Sequence, residues 1–143
     1  MAEVTRVSPE EARELLAQGY TYVDVRTEAE FEAGRVPGAV NVPYQRRGPQ
    51  GLALNADFLS VMEAAFPKDG KVLLGCQTGN RSLKAAQLLL GAGYSDLREL
   101  RTGLVGSRDA FGRPEPGWEK KGFPVERGAP EGRRYSDLLA KRG

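Results

Sequence analysis

"KVLLGCQTGNRSLKAAQLLLGAG" (Lys71–Gly93) decides how this chain folds. Its opening is a short apolar run without polar alternation, the pattern of a strand covered on both faces. Its second half, "RSLKAAQLLLGAG", has the spacing of a helix and stops at Gly91 or Gly93. Between them lie Gly75, the only cysteine in the chain, and a turn of small or polar residues.

The same alternation continues outward. "EVTRV" (Glu3–Val7) reads as a first strand. Ser8 caps a helix with Pro9 at its first position, Glu11 closing a capping box and Gly19 as its stop. "YTYVDVR" is the second strand. Thr27 and Glu30 repeat the capping logic over a short helix that ends at Gly34, and "VPGAVNVP" (Val36–Pro43) holds a turn and a third strand. Tyr44–Asn55 reads as a loop rich in Gly, Arg and Gln. "ADFLSVMEAAFP" is an amphipathic helix stopped near Pro67. After the central unit, "YSDLREL" is a fifth strand. Beyond Leu100 the pattern fades into a loop with short pieces of structure, and "YSDLLAKRG" supplies a last helical turn or two. Alternating strands and helices predict an α/β fold with a mainly parallel sheet. Ligands in such sheets bind beyond the carboxyl ends of the strands. Asp24 and Arg26 close the second strand, and Cys76 follows the fourth.

Bulk properties narrow the function. A chain of 143 residues, 40% hydrophobic, suits one domain with a real core. A net charge of +2 comes with no dense Lys/Arg stripe, so nucleic acid is not an expected partner. The N-terminus shows neither a secretory nor a transit pattern, and no segment has the length of a membrane span. One cysteine cannot form an intrachain disulfide, so a reducing cytoplasm is the expected location. The absence of histidine excludes Cys-His and Ser-His machineries. It also leaves a poor donor set for zinc, and no cofactor is called for.

A lone cysteine is often a small buried hydrophobe. Cys76, however, follows the apolar run rather than sitting inside it. A turn from strand to helix points several backbone N–H groups at one spot, and Gly79 and Asn80 tolerate the dihedrals this needs. The helix adds its positive end. Such a nest holds an anion, so it favours a nucleophilic thiolate without a histidine base. Arg81 adds charge or braces the loop; Ser82 donates to sulfur or caps the helix.

"CQTGNRS" resembles the active-site loop of single-domain rhodaneses, the thiosulfate-type sulfurtransferases. "VDVRTEAEFEAGRVPGAVNVP" (Val23–Pro43) is similar to that family's Asp-Val-Arg signature and its Gly-His-Ile-Pro-Gly-Ala segment. "GWEKKGFPVERG" (Gly117–Gly128) resembles its closing Trp…Gly-x-Pro-Val stretch. The resemblance implies a rhodanese-like fold, a mainly parallel five-stranded sheet with helices on both faces. It divides the chain into one rhodanese domain over residues 1–128 and a C-terminal extension over 129–143.

The activity implied is transfer of a sulfane sulfur from thiosulfate or a related small anionic donor. Cys76 carries it as a persulfide to cyanide or a thiol, and Gln77, Thr78, Gly79, Asn80, Arg81 and Ser82 form the substrate-binding loop. With no second cysteine, the acceptor thiol comes from another molecule. Phosphatase relatives use Cys-x5-Arg around a phosphate. The Cys-x4-Arg ring from Cys76 to Arg81 is one residue tighter, which favours sulfur over phosphatase or arsenate-reductase chemistry. A non-catalytic sulfur-carrier or partner-binding module is the alternative, and its expected mark, an altered cysteine loop, is missing.

Two departures stand out. Gln77 is neutral where many members carry a basic residue, and Arg35 replaces the usual histidine at what reads as a scaffold position. Asp24 and Arg26 either brace the loop or Arg81 or, as the favoured expectation, take part in a local ion pair, for example Arg26 with Glu30. Trp118 is expected to pack on the sheet rather than wall a pocket. "RRGPQG" (Arg46–Gly51) is expected to be a solvated loop, with steering of an anion as its other possible role.

Overall fold

The structure, a computed structural model, describes residues 4–142, and the local signals set most of its element boundaries. In chain order it has β1 (Thr5–Val7), α1 (Pro9–Ala17), β2 (Thr21–Asp24), α2 (Glu28–Ala33), β3 (Val40–Asn41), β4 (Gln45–Gly48) and β5 (Gly51–Leu54). These are followed by α3 (Phe58–Ala65), β6 (Val72–Gly75), α4 (Asn80–Gly91), β7 (Leu97–Leu100), β8 (Gly106–Arg108), β9 (Pro114–Pro116) and α5 (Tyr135–Lys141). Glu3 and Gly143, expected in the first strand and last helix, lie outside the described residues. Both capping boxes form: Ser8 with Glu11 and Thr27 with Glu30 each satisfy two orphan amides reciprocally.

Five strands make one sheet in the order β1-β7-β6-β2-β3, and every pairing within it is parallel. β6 is central, which explains its unbroken apolar run. Its residues alternate between two cores. Val72 and Leu74 face α3 and α4 through Phe58, Val61, Met62, Ala85, Ala86 and Leu89. Leu73 faces the other side, where Ala12 of α1 and Phe31 of α2 pack with Tyr22, Trp118 and Leu100. The helices therefore cover both faces. Removing this much apolar surface from water, at about 25 cal/mol per Å², is the main favourable term.

Three features differ from or refine the sequence reading. Tyr44–Asn55 is not a plain loop: β4 and β5 pair as an antiparallel hairpin. Both strands are largely exposed, with Leu54 at 67%. No buried face imposed a period of two on their sequence, so the pattern was silent. A second short hairpin pairs β8 with β9 beyond the main sheet. Finally, α5 is docked: Tyr135 and Leu138 are buried in the core that contains α3 and α4. Asn55 donates to the Tyr135 hydroxyl at 3.0 Å, fixing this helix against the end of the first hairpin.

Arg35 is scaffold, as its sequence position suggested. It is 2% exposed and donates to the carbonyls of Phe31 and Gly128 and to the Glu126 carboxylate. Its guanidinium also lies over the Phe31 ring, 4.3 Å from the centroid. Trp118 packs rather than lining a pocket. It is 2% exposed, donates Nε1–H to the Pro124 carbonyl at 2.7 Å and meets Phe123 edge to face.

Candidate active site

β6 ends at Gly75, and the chain turns at once into Cys76. A side chain at Gly75 has no room, because an added Cβ lies 1.7 Å from the Tyr22 hydroxyl oxygen. Gly79 adopts φ +90°, the left-handed conformation that costs glycine least, and its Cβ position falls 2.2 Å from the Arg101 carbonyl oxygen. That backbone lets the turn close on the cysteine sulfur. Gly79 N–H donates to Cys76 Sγ at 3.2 Å, Ser82 N–H at 3.4 Å, and Ser82 Oγ lies 3.3 Å away. Cys76 is only 2% exposed. Two amides thus converge on one sulfur at the start of α4, with the Ser82 hydroxyl beside it, and the amides suit a negative charge there.

The turn is held from several sides. Leu104 and Val105 donate their amides to the Cys76 and Gln77 carbonyls at 2.9 and 3.0 Å. Arg6 donates to the Gly79 carbonyl at 3.0 Å. Arg26 Nη1 donates to Gln77 Oε1 at 3.0 Å, so the neutral residue beside the cysteine is clamped by an arginine from the second strand's end. Thr78 and Asn80 are exposed and, with Arg6, Arg101 and Arg108, line a cleft of about 860 Å³.

The expected Arg26–Glu30 pair does not form. Arg26 instead grips Asp24 through a fork, Nε and Nη2 to both carboxylate oxygens at 2.7–3.1 Å, and both residues are buried. Glu30 turns the other way and forks Arg81 at 2.7 and 2.9 Å. The physical reason is reach. Asp24 lies two residues from Arg26 on the same inward end of the strand, while Glu30 sits on the helix face opposite Arg81. Glu30 therefore caps α2 through Thr27 and braces the cysteine loop through Arg81.

Burial pushes the Glu30 carboxyl up, but the Arg81 fork and the Thr27 amide and hydroxyl outweigh it and bring it down to about 2. Because this lies below the unfolded value, the stabilisation is present above pH about 4.5 and is lost as pH falls toward about 2. The pair is partly exposed, with Glu30 at 31% and Arg81 at 18%, so water screens much of it. Glu30→Gln is expected to lose about 1–2 kcal/mol in urea unfolding at neutral pH, a deficit that shrinks as the buffer is taken to about pH 2.

Two residues near the cysteine, Glu99 and its partner Arg6, have no role foreseen from the sequence. Glu99, fully buried on β7, accepts a short hydrogen bond from Ser82 Oγ and pairs with Arg6 at 2.6 Å. The available signal was Glu99 standing two residues from Leu97 on a strand, hence on the same core-facing side.

A parallel α/β sheet with a cysteine cradled between its central strand and the following helix defines a class of domains, and comparison with known proteins places the chain within it. Residues 8–110 match the Rhodanese-like domain family, and the chain belongs to that family. It is 39% identical over 130 residues to Thiosulfate sulfurtransferase 16, chloroplastic, of Arabidopsis thaliana, covering 88% of this chain and 99% of that protein. It is 36% identical over 125 residues to Thiosulfate sulfurtransferase 18 of the same plant, covering 86% and 84%. Among solved structures, Rv0390 of M. tuberculosis aligns with a TM-score of 0.72 at 28% identity, over 89% of this chain and all of that one. No helix among the described residues is long and apolar enough to cross a membrane.

Proposed function

We propose that the protein is a sulfurtransferase using Cys76 as its nucleophile. The observation that carries this reading is the convergence of the Gly79 and Ser82 amides on Cys76 Sγ within a Cys-x4-Arg turn. In the forward step the Cys76 thiolate attacks the outer sulfur of thiosulfate. The bond from that sulfur to the sulfonate breaks, and its electron pair leaves with sulfite. The product is a Cys76 persulfide anion, held by the same amides that held the thiolate. Cyanide or an acceptor thiolate then takes the outer sulfur, and the Cys76 thiolate re-forms. The acceptor thiol must come from another molecule, since the chain has one cysteine.

The loop arginines are largely neutralised by partners: Arg26 by Asp24, Arg81 by Glu30 and Arg6 by Glu99. With Gln77 neutral as well, few unpaired charges attract a dianion at the sulfur itself. An organic persulfide therefore rivals thiosulfate as the donor. We take residues 1–128 as the rhodanese domain and 129–143 as a C-terminal extension, of which α5 packs into the core through Tyr135 and Leu138. The cytoplasm or another reducing compartment suits a lone, exchange-prone thiol.

The test is a direct comparison of donors and rival substrates. Thiocyanate formation from cyanide is measured with thiosulfate and with an organic persulfide, alongside hydrolysis of an aryl phosphate. Sulfur transfer from either donor, far faster than phosphate release, supports the reading. Aryl phosphate turnover as the faster reaction replaces it with the phosphatase alternative, and inertness toward every donor replaces it with a non-catalytic carrier or binding module.

A further inference from the structure

We propose that buried Glu99 accepts the Cys76 proton through Ser82, so that the thiolate of this histidine-free chain forms by a proton shift inside the protein. The inference rests on Cys76 being the nucleophile, as proposed above. Ser82 Oγ donates its single proton to Glu99 Oε2, and its lone pairs are left to accept. The Cys76–Ser82 contact at 3.3 Å then has the thiol as donor. The three groups form one line, S–H to O–H to carboxylate.

The shift balances without solvent. The Cys76 proton passes to Ser82 Oγ as the Ser82 proton passes to Glu99 Oε2. Sulfur ends as thiolate, Ser82 stays a neutral hydroxyl and Glu99 becomes a neutral acid. The buried site carries one negative charge before and after, so a thiolate and a carboxylate never share it. Arg6 holds that charge from the far side, with Nε on Glu99 Oε1 at 2.6 Å and Nη2 on the Gly79 carbonyl. The Gly79 and Ser82 amides favour the thiolate end of the line. When the acceptor removes sulfur and the thiolate re-forms, the proton returns by the same route. With cyanide ion or a thiolate as acceptor, the site itself exchanges no proton with water.

Packing alone does not call for an acid here. A buried ion pair is often matched or bettered in stability by apolar residues of similar volume. The other ionisable groups around the line are already committed. Asp24 and Arg26 grip each other from the β2 end, and Arg81 of α4 is forked to Glu30 of α2. Burial pushes the Tyr22 hydroxyl of β2 well above its ordinary value, so it stays neutral. Of these groups, only Glu99 meets the hydroxyl that touches the cysteine sulfur.

The experiment is the rate of Cys76 alkylation by iodoacetamide at neutral pH, with thiolate absorbance read in parallel, on wild type, Glu99→Gln and Ser82→Ala. Neither readout needs a sulfur donor, so failure of the sulfurtransferase reading leaves this test intact. The internal shift predicts that wild type is alkylated at neutral pH and that Glu99→Gln, which has no base to take the proton, is at least about tenfold slower and shows weaker thiolate absorbance. Ser82→Ala keeps the carboxylate but loses the hydroxyl that carries the proton and steadies the thiolate, and should be slowed as well. Near-ultraviolet circular dichroism shows that each variant is folded, and if one is not, the other decides. A folded variant alkylated as fast as wild type, or faster, overturns the proposal.

Discussion

Incubation with thiosulfate or an organic persulfide is expected to add one sulfur atom to the intact mass of the protein, and to add none to Cys76→Ser. Thiocyanate formation by the variant should fall by at least about a thousandfold, because a serine hydroxyl holds its proton far more tightly than a thiol and is a far weaker nucleophile toward sulfur. The substitution keeps the size of the group, so the Gly79 and Ser82 amides still have an oxygen to meet. Urea unfolding should accordingly change by less than about 1 kcal/mol. A variant that keeps sulfur uptake would remove Cys76 from the reaction, since the chain has no other thiol.

Arg26→Ala should produce the largest loss of stability among the site residues. Asp24 is 2% exposed, and its carboxylate spends both oxygens on the Arg26 guanidinium. Removing the partner leaves a buried charge unpaired, which costs about 3–5 kcal/mol. For a domain of this size that lowers the midpoint of thermal unfolding by roughly 10 °C. Arg26 also donates to the Gly34 carbonyl and to Gln77 Oε1, so the end of α2 and the cysteine loop loosen together. Asp24→Asn with Arg26→Met removes both charges and should recover more than half of the stability, because no unpaired ion is left behind. Calorimetry of the three proteins checks this; a single variant as stable as wild type would mean that Asp24 finds another partner.

These expectations join one residue that was plain in the sequence to one that was plain only in part. Cys76 announced itself by its place after an apolar strand, in a turn with glycine, before a helix. Arg26 was visible as a strand-end residue in a local ion pair, but its partner is Asp24 rather than Glu30, the example the spacing offered. The candidates were all close in sequence, and spacing along the chain does not say which carboxylate shares an inward end with a guanidinium. Gln77 shows the same limit. Its neutrality is legible in the letters, while its clamp by Arg26 spans 51 positions.

The letters alone were enough for the strands of the main sheet, the helices between them and their order, and for the cysteine turn, though not for the two short hairpins. Capping boxes, glycine stops and the unbroken apolar run of β6 act within a few residues of where they are written, so they can be read locally. Only the tertiary structure decided what each charge answers. The order β1-β7-β6-β2-β3 sets β1 beside β7 and so brings Arg6 to Glu99, 93 residues apart. The same packing brings Glu30 to Arg81 and lays α5 on the core. Exposed hairpins and long-range ion pairs leave no period in the chain, because they depend on which strands become neighbours. The line from Cys76 through Ser82 to Glu99 exists only once they do.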